Sequence, residues 1–271
     1  MESRIATNTN LSAFSRGGAK RKMVDLIPLY ARHGFRDLDI NLCEMMNPSS
    51  ELNGRERNAY IGRLLELKEE YGLSYFQSHA PYPRHYSALS EKEKDESRRE
   101  ILDAMEIAHE LGIDHIVIHP IDAPVDGNIR YFEDLIANGS NIRIAVENME
   151  EGYAVSAEEL IGIVDGAGGR MGICLDTGHA NIAGCDIPSF IEKAGDRIIA
   201  THIADNDGKR DLHLLPGWGN IEWEKVIPAF RRHYSGFLTY EVMFFSRNAP
   251  ECLTDDIIRL SYDTGLWLSS L

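Results

Sequence analysis

The chain has 271 residues, 43% of them apolar, and a formal charge of −15 at pH 7. That length exceeds one small domain but suits a single eight-stranded α/β barrel, for which roughly 250 residues are typical. The charge opposes approach to phosphate backbones and anionic lipid, and no stretch nears the roughly 18 uncharged apolar residues of a membrane helix, so nucleic acid and membrane are both disfavoured as partners.

The opening, Met1-Glu2-Ser3-Arg4-Ile5-Ala6, runs straight into a strand-like segment with no apolar signal region before it, which predicts a cytoplasmic protein. From there, short runs rich in β-branched residues cover 4–10, 35–42, 73–80, 115–120, 142–149, 171–176, 198–205 and 236–243. They alternate with stretches such as 20–33, 54–71, 90–111, 156–164, 222–232 and 255–267, in which apolar residues recur three or four positions apart as on one helix face. Gly34, Gly72 and Gly112 each stand between a helix and the next strand, as helix stops do. The run Glu91-Lys92-Glu93-Lys94-Asp95-Glu96 reads as the exposed opening of a helix and carries no functional weight. Eight alternations without a linker or charge step predict one α/β domain over 1–271, a single (β/α)8 TIM barrel. Cys43, Cys174, Cys185 and Cys252 show no paired spacing and are expected as reduced thiols.

A metal-type ligand recurs near the ends of these runs: His79, His119, Glu147, Asp176 with His179, His202, Asp211 with His213, and Glu241. In a βα barrel the functional groups gather at the C-terminal ends of the strands. Side-chain alternation tests this, because residues two apart along a strand share a face. Two positions before the ligands stand Val117, Ala145, Cys174, Ala200 and Thr239, all small or medium-sized. The opposite faces carry bulky residues suited to packing under the helices: Ile116 and Ile118, Ile144 and Val146, Ile173 and Leu175, Ile199 and Ile203, Leu238 and Tyr240. The ligands are therefore expected to point into the barrel at its top. Glu147, Asp176, His202 and Glu241 supply three carboxylates and one imidazole, a donor set for Zn2+ or Mn2+, with Mg2+ or Co2+ also suited. A cation so held can bind a vicinal hydroxyl and carbonyl together, polarise the carbonyl and acidify the adjacent C–H.

The segments Ser78-His79-Ala80-Pro81-Tyr82, Val117-Ile118-His119-Pro120, Val146-Glu147-Asn148, Cys174-Leu175-Asp176-Thr177-Gly178-His179-Ala180, His202-Ile203-Ala204-Asp205-Asn206-Asp207 and the stretch from Asp211-Leu212-His213 through Pro216-Gly217-Trp218-Gly219-Asn220-Ile221-Glu222-Trp223 resemble the xylose isomerase-like TIM-barrel superfamily. This group holds sugar isomerases and epimerases together with endonuclease IV. The epimerase branch implies that Glu147, Asp176, His202 and Glu241 hold one divalent ion. Glu147 and Glu241 would then exchange protons with a carbohydrate-like substrate from opposite sides, through an enediolate. The endonuclease branch implies three zinc ions, held by His79, His119 and Glu147, by the same four residues, and by His179, Asp211 and His213. A dehydratase or lyase sharing the enediolate is a further variant of the first reading.

The chain departs from the family pattern at Trp218, which stands between Gly217 and Gly219 where relatives often carry Glu. It is read either as an apolar wall for a sugar or as an aromatic capping the rim. Asp39, near the end of the second strand, is a substrate hydrogen-bond candidate or a structural group. Lys209 is a candidate for binding a substrate phosphate, beside the alternative of a solvated loop pair with Arg210. His33, His85, His109, His115 and His233 are read as non-catalytic. A DNA-binding loop is best matched by Pro81-Tyr82-Pro83-Arg84-His85-Tyr86, which lacks the Arg-rich character such a loop needs. The expected function is a divalent-metal-dependent isomerase or epimerase of a small sugar, sugar phosphate or keto-polyol, with an endonuclease IV-like phosphodiesterase as the alternative. A homo-oligomer is compatible with these features, and the copy number is left open.

Overall fold

The computed structural model describes residues 4–17, 20–83 and 85–271. Eight parallel strands form one sheet: β1 (Arg4–Asn8), β2 (Asp37–Asn41), β3 (Ser74–His79), β4 (His115–Ile118), β5 (Arg143–Glu147), β6 (Met171–Asp176), β7 (Ile198–His202) and β8 (Phe237–Tyr240). The order β7-β6-β5-β4-β3-β2-β1-β8 runs in chain sequence around the sheet, as successive right-handed strand–helix units require. Closure between β7 and β8 rests on the bridge from Ile203 to Tyr240. The Thr201 hydroxyl reinforces it, donating to Phe237 O at 2.7 Å and accepting Thr239 N–H at 3.0 Å. The result is a (β/α)8 TIM barrel, with strand positions as the sequence implies and strands shorter than the apolar runs suggest.

The helices are α1 (Met23–Arg32), α2 (Arg57–Glu70), α3 (Glu91–Glu110), α4 (Val125–Asn138), α5 (Ala157–Ala167), α6 (Thr177–Ile182), α7 (Ile187–Ala194), α8 (Trp223–His233) and α9 (Thr254–Ser270). Local chemistry fixes several ends. Ser90 and Ser156 each accept the backbone N–H three residues on, and Glu93 and Glu159 return the bond, so α3 and α5 begin with capping boxes. After α2 and α3 the chain turns at Gly72 (φ 60°) and Gly112 (φ 67°), and Leu73 and Ile113 donate back to Lys68 O and Ala108 O. That bond pattern requires a left-handed residue, which glycine adopts without a Cβ clash. No described helix is long and apolar enough to cross a membrane.

Two apolar cores follow from strand alternation. The outward faces, including Ile116, Ile118, Ile144, Val146, Ile173, Leu175, Ile203, Leu238 and Tyr240, join the large core under the helices. Inside the barrel, Val117, Ala145, Cys174 and Ala200 form their own fully buried cluster, one step below the expected ligands. Ile199 departs from the outward placement that alternation predicts and packs against this inner cluster. The reason is a register skip: Ile173 pairs with Ile198 and Cys174 with Ala200, leaving Ile199 unpaired and re-aimed. A similar skip between β2 and β3 passes over Phe76, since Leu38 pairs with Tyr75 and Asp39 with Gln77. Phe76 reaches Phe237 on β8, ring centroids 4.3 Å apart, and the Arg4 guanidinium lies over Phe237. Because β3 and β8 are not neighbours in the sheet, this contact crosses the interior and closes the N-terminal end of the barrel.

Candidate metal centre

At the other end, Glu147 is 1% exposed and lies among four imidazoles. One carboxylate oxygen, Oε2, is 3.2 Å from His79 Nε2 and 3.1 Å from His119 Nε2. The other, Oε1, is 2.9 Å from His202 Nδ1 and 3.7 Å from His179 Nδ1. Glu241 Oε2 stands 3.4 Å, and Asp176 Oδ2 4.0 Å, from the same His202 nitrogen. One ligand atom from each of Glu147, Asp176, His202 and Glu241 lies within 4.8 Å of every other. Among the described residues two further groups meet that spacing: His79, Glu147 and His202, and Glu150, His179 and Asp211. Strands β5, β6 and β7 end at Glu147, Asp176 and His202, and Glu241 follows the last residue of β8. Four strands thus converge on one volume.

Hydrogen bonds beneath the cluster hold it in place. Asp176 caps α6: its Oδ1 accepts His179 N–H at 2.7 Å, which leaves Oδ2 buried with no hydrogen-bond partner. Gly178 permits this tight entry, since a Cβ there would stand 3.2 Å from Asp176 Oδ1 and 3.1 Å from Asn206 Nδ2. Asn148 ties β5 to β6, its carboxamide accepting Asp176 N–H at 2.7 Å and donating to Asp176 O at 3.0 Å. Asp205 gathers the following loop, accepting the N–H groups of Gly217 and Ile221 and the Trp223 indole N–H. The loop so anchored carries Asp211 and His213, whose Nε2 lies 2.7 Å from Asp211 Oδ2. His213 adopts φ 44°, a strained value for a side chain with a Cβ. Its Nδ1–H donates to Glu241 O at 2.8 Å.

The electrostatics separate the two glutamates. Burial works against ionisation of Glu147, but His202 and His119 outweigh it and hold its pKa well below the usual carboxylate range. Burial raises Glu241 to about 7; His202 and His213 offset this in part, while Glu147 and Asp176 add to it. Burial disfavours a proton on His213, yet the Asp211 hydrogen bond and the charge of Glu241 carry it up to about 10. A buried acceptor without a donor, Asp176 Oδ2, beside two further carboxylates and an imidazole is a donor set that suits a divalent cation. Such an ion would replace the protons that the imidazoles otherwise hold.

A cavity of about 120 Å3 opens above the cluster, lined by Asn10, Asn41, Cys43, His79, Tyr82, His119, Glu147, His179, Asp211, His213, Glu241 and Met243. The structure thus brings together Glu147, Asp176, His202, Glu241, His79, His119, His179, Asp211 and His213. Three other candidates sit elsewhere. Asp39 is 1% exposed and does not line the cavity; it lies beneath, accepting from Gln77 Nε2 at 2.7 Å. Trp218 is 58% exposed and packs edge-on against Phe245. Lys209 is exposed in a turn whose Arg210 pairs with Asp207. Arg84, part of the candidate nucleic-acid loop, lies outside the described residues.

The sequence reading missed several residues of the site. Gln77 lies two positions before His79, so the same alternation rule finds it once applied to β3, as it places Asp39, already a candidate, on the inner face of β2. Asn41 shares the face of Asp39 at the end of β2, whereas Asn10, Cys43 and Met243 lie beyond the strand ends, where no period marks them. Tyr82, whose ring stacks on His119 at 4.3 Å, stands in two quoted segments, neither of which assigned it a place in the cavity. Glu150, grouped with His179 and Asp211, lies in an irregular loop after β5.

A family model described as "Xylose isomerase-like TIM barrel" matches residues 30–262. The chain belongs to this family. It is 31% identical over 232 residues to the uncharacterized protein MJ1311 of Methanocaldococcus jannaschii, covering 78% of this chain and 76% of that one. It is 30% identical over 187 residues to a probable endonuclease 4 of Staphylococcus aureus (strain JH9), over 59% of this chain and 63% of that protein. Among solved structures it is similar to a D-tagatose 3-epimerase-like protein, with a TM-score of 0.73, 23% identity and 98% of each chain covered. The IOLI protein, crystallised with a binding zinc atom, aligns with the same TM-score of 0.73 at 18% identity, again over 98% of each chain. At these identities the structural likeness shows the fold.

Proposed function

We propose that the protein is a divalent-cation-dependent isomerase or epimerase of a small carbohydrate. The observation that carries this reading is the pairing, in one buried cavity, of two glutamates with opposite pKa shifts around a donor set with an unsatisfied carboxylate oxygen, Asp176 Oδ2. Glu147, Asp176, His202 and Glu241 would hold the ion. Bound there, a divalent ion supplies a Lewis acid that polarises a carbonyl and so acidifies the neighbouring C–H. Glu147 and Glu241 provide the carboxylates that such proton exchange needs, one removing a proton and the other returning one. His179, His213 and Asp211 line the cavity and would hydrogen-bond substrate hydroxyls. The D-tagatose 3-epimerase-like protein among the similar structures and the zinc of the IOLI protein both agree with this reading.

The test is solvent exchange. Protein supplied with Mn2+, Co2+ or Zn2+ and incubated with ketohexoses in D2O is expected to incorporate deuterium beside the carbonyl, and Glu147→Gln and Glu241→Gln to abolish it while remaining folded. Exchange that persists unchanged in both variants rules the reading out for that substrate. Phosphodiester hydrolysis is the second reading, favoured by the third ligand group of Glu150, His179 and Asp211 and by the resemblance to endonuclease 4. The charge of −15 opposes it. Zinc-dependent cleavage of an abasic-site duplex would establish it in place of the isomerase.

A further inference from the structure

The imidazoles around the cavity are oriented in two different ways. In His79, His179 and His213, Nδ1–H donates to a main-chain carbonyl, Ala80 O at 2.8 Å, Asn148 O at 2.9 Å and Glu241 O at 2.8 Å. A carbonyl only accepts, so the proton sits on Nδ1 and Nε2 is left for the cavity. His202 is reversed. Its Nδ1 faces Glu147, Glu241 and Asp176, and its Nε2, buried and without a hydrogen bond, lies 3.5 Å from Asp39 Oδ2. Asp39 comes from β2 and His202 from β7, which are not paired in the sheet, so the approach crosses the barrel interior.

Behind Asp39 the direction of every bond is forced. A carboxylate oxygen accepts, and Gln77 presents its amide nitrogen to Asp39 Oδ2 at 2.7 Å. The Gln77 oxygen then faces His115 Nε2 at 3.2 Å, and that nitrogen must carry a hydrogen. All of these groups are 7% exposed or less, so bulk water does not reach them. The same acceptor that fixes Gln77 calls for a hydrogen on His202 Nε2, so the proton between His202 Nδ1 and Glu147 Oε1, 2.9 Å apart, is the one a cation displaces, and the lone pair it frees is that of Nδ1.

We propose that Asp39 is a positioning residue that holds His202 as its Nε2–H tautomer, with Gln77 and His115 fixing Asp39 from below, so that Nδ1 is the cation-binding atom. This rests on the reading of Glu147, Asp176, His202 and Glu241 as cation ligands. It also gives His115, outwardly a histidine at the start of a strand, a place in the support of the site. A ligand histidine whose far nitrogen faces a carboxylate is the arrangement that fixes ring orientation and raises ligand basicity. Where His79, His179 and His213 each reach a main-chain carbonyl, the far nitrogen of His202 faces a carboxylate side chain, which can be substituted.

The experiment uses the full chain and Zn2+ as probe. In the zinc-loaded, 15N-histidine-labelled protein, long-range 1H–15N correlation is expected to show His202 protonated at Nε2 and zinc-bound at Nδ1, the assignment taken from the signal lost in His202→Asn. A wild-type spectrum with a bare or zinc-bound Nε2 overturns the proposal and needs no further variant. Asp39→Asn is expected to weaken zinc binding ten- to a hundredfold, measured by calorimetric titration, and Gln77→Met severalfold, with cooperative unfolding retained. An Asp39→Asn protein that folds and binds zinc within twofold of wild type overturns the proposal and leaves the cation reading standing. If that variant does not fold, the wild-type spectrum and Gln77→Met decide. A wild-type protein that takes up no zinc overturns the cation reading and this inference with it.

Discussion

His115 and His202 lie in the same barrel interior, at its closed and open ends, and their acidities move in opposite directions. Burial lowers His115 to about 4, and Asp39, which favours its proton, does not compensate; Arg143 and His202 add to the lowering. Burial also acts against a proton on His202, but Cys174, Glu241, Glu147 and Asp39 together carry it well above the ordinary histidine value. One residue type in one low-dielectric interior is thus kept neutral next to a carboxamide and made cationic among carboxylates. The lesson extends to the two ends of the barrel. The closed end is made stable by aromatic packing and a neutral hydrogen bond, and the open end concentrates charge that only a cation or protons can balance.

The strongest challenge to this contrast is Glu147→Gln. Removing the carboxylate that faces four imidazoles is expected to lower turnover of a responsive substrate by on the order of 10^3-fold or more and to abolish stoichiometric zinc uptake, measured by metal analysis after dialysis. Retained zinc stoichiometry would show that the open end does not depend on its central charge.

At the closed end, Phe76→Ala is expected to destabilise the protein by about 4 kcal/mol in chemical denaturation, the usual loss for a buried phenylalanine, while zinc affinity stays within twofold. A drop in zinc affinity as large as the stability loss would mean that the two ends are coupled and not separable.

The protonation contrast is open to a pH measurement. As pH falls through 6.5, the unfolded chain protonates His115, whereas the folded protein leaves it neutral until about pH 4. The unfolded state therefore binds the extra proton and stability is lost on acidification, by about 3 kcal/mol at pH 4. His115→Gln is expected to remove that part of the slope, read as the difference between the two stability–pH curves from 6.5 to 4. Parallel curves would place the His115 proton in the folded state as well.

The smallest effect concerns neither end. Gly72→Ala puts a Cβ into open space but at φ 60°, so a loss of about 1 kcal/mol in thermal unfolding is expected, with zinc binding and turnover unchanged. A neutral result would remove the left-handed stop after α2 from the account of the fold.

Much of the site was legible because strands have a strict period. Glu147, Asp176, His202 and Glu241 stand one step above Ala145, Cys174, Ala200 and Thr239, and that spacing alone places them inside and at the top. Short helices were harder to read. α6 and α7 follow β6 with too few turns to show a helical period, so neither is among the expected helical stretches, although His179 stands in a helix capped by Asp176. Ile199 illustrates the limit of alternation, since a single skipped partner on the neighbouring strand reverses a side chain and leaves no mark in the residue order.

By itself the amino-acid sequence determined the eight strands, their alternating faces and the presence of imidazoles and carboxylates at the strand ends. These depend on local periodicity and on which side chains can pack or ligate. Tertiary structure decided which nitrogen of each histidine faces the cavity, that Asp39 supports His202 from beneath the cavity, and that Trp218 and Lys209 stand apart from it. Those outcomes depend on distances between strands that are far apart in the chain. Only closure of the barrel brings β2 across to β7 and β3 across to β8, and the chemistry of the interior follows from those crossings.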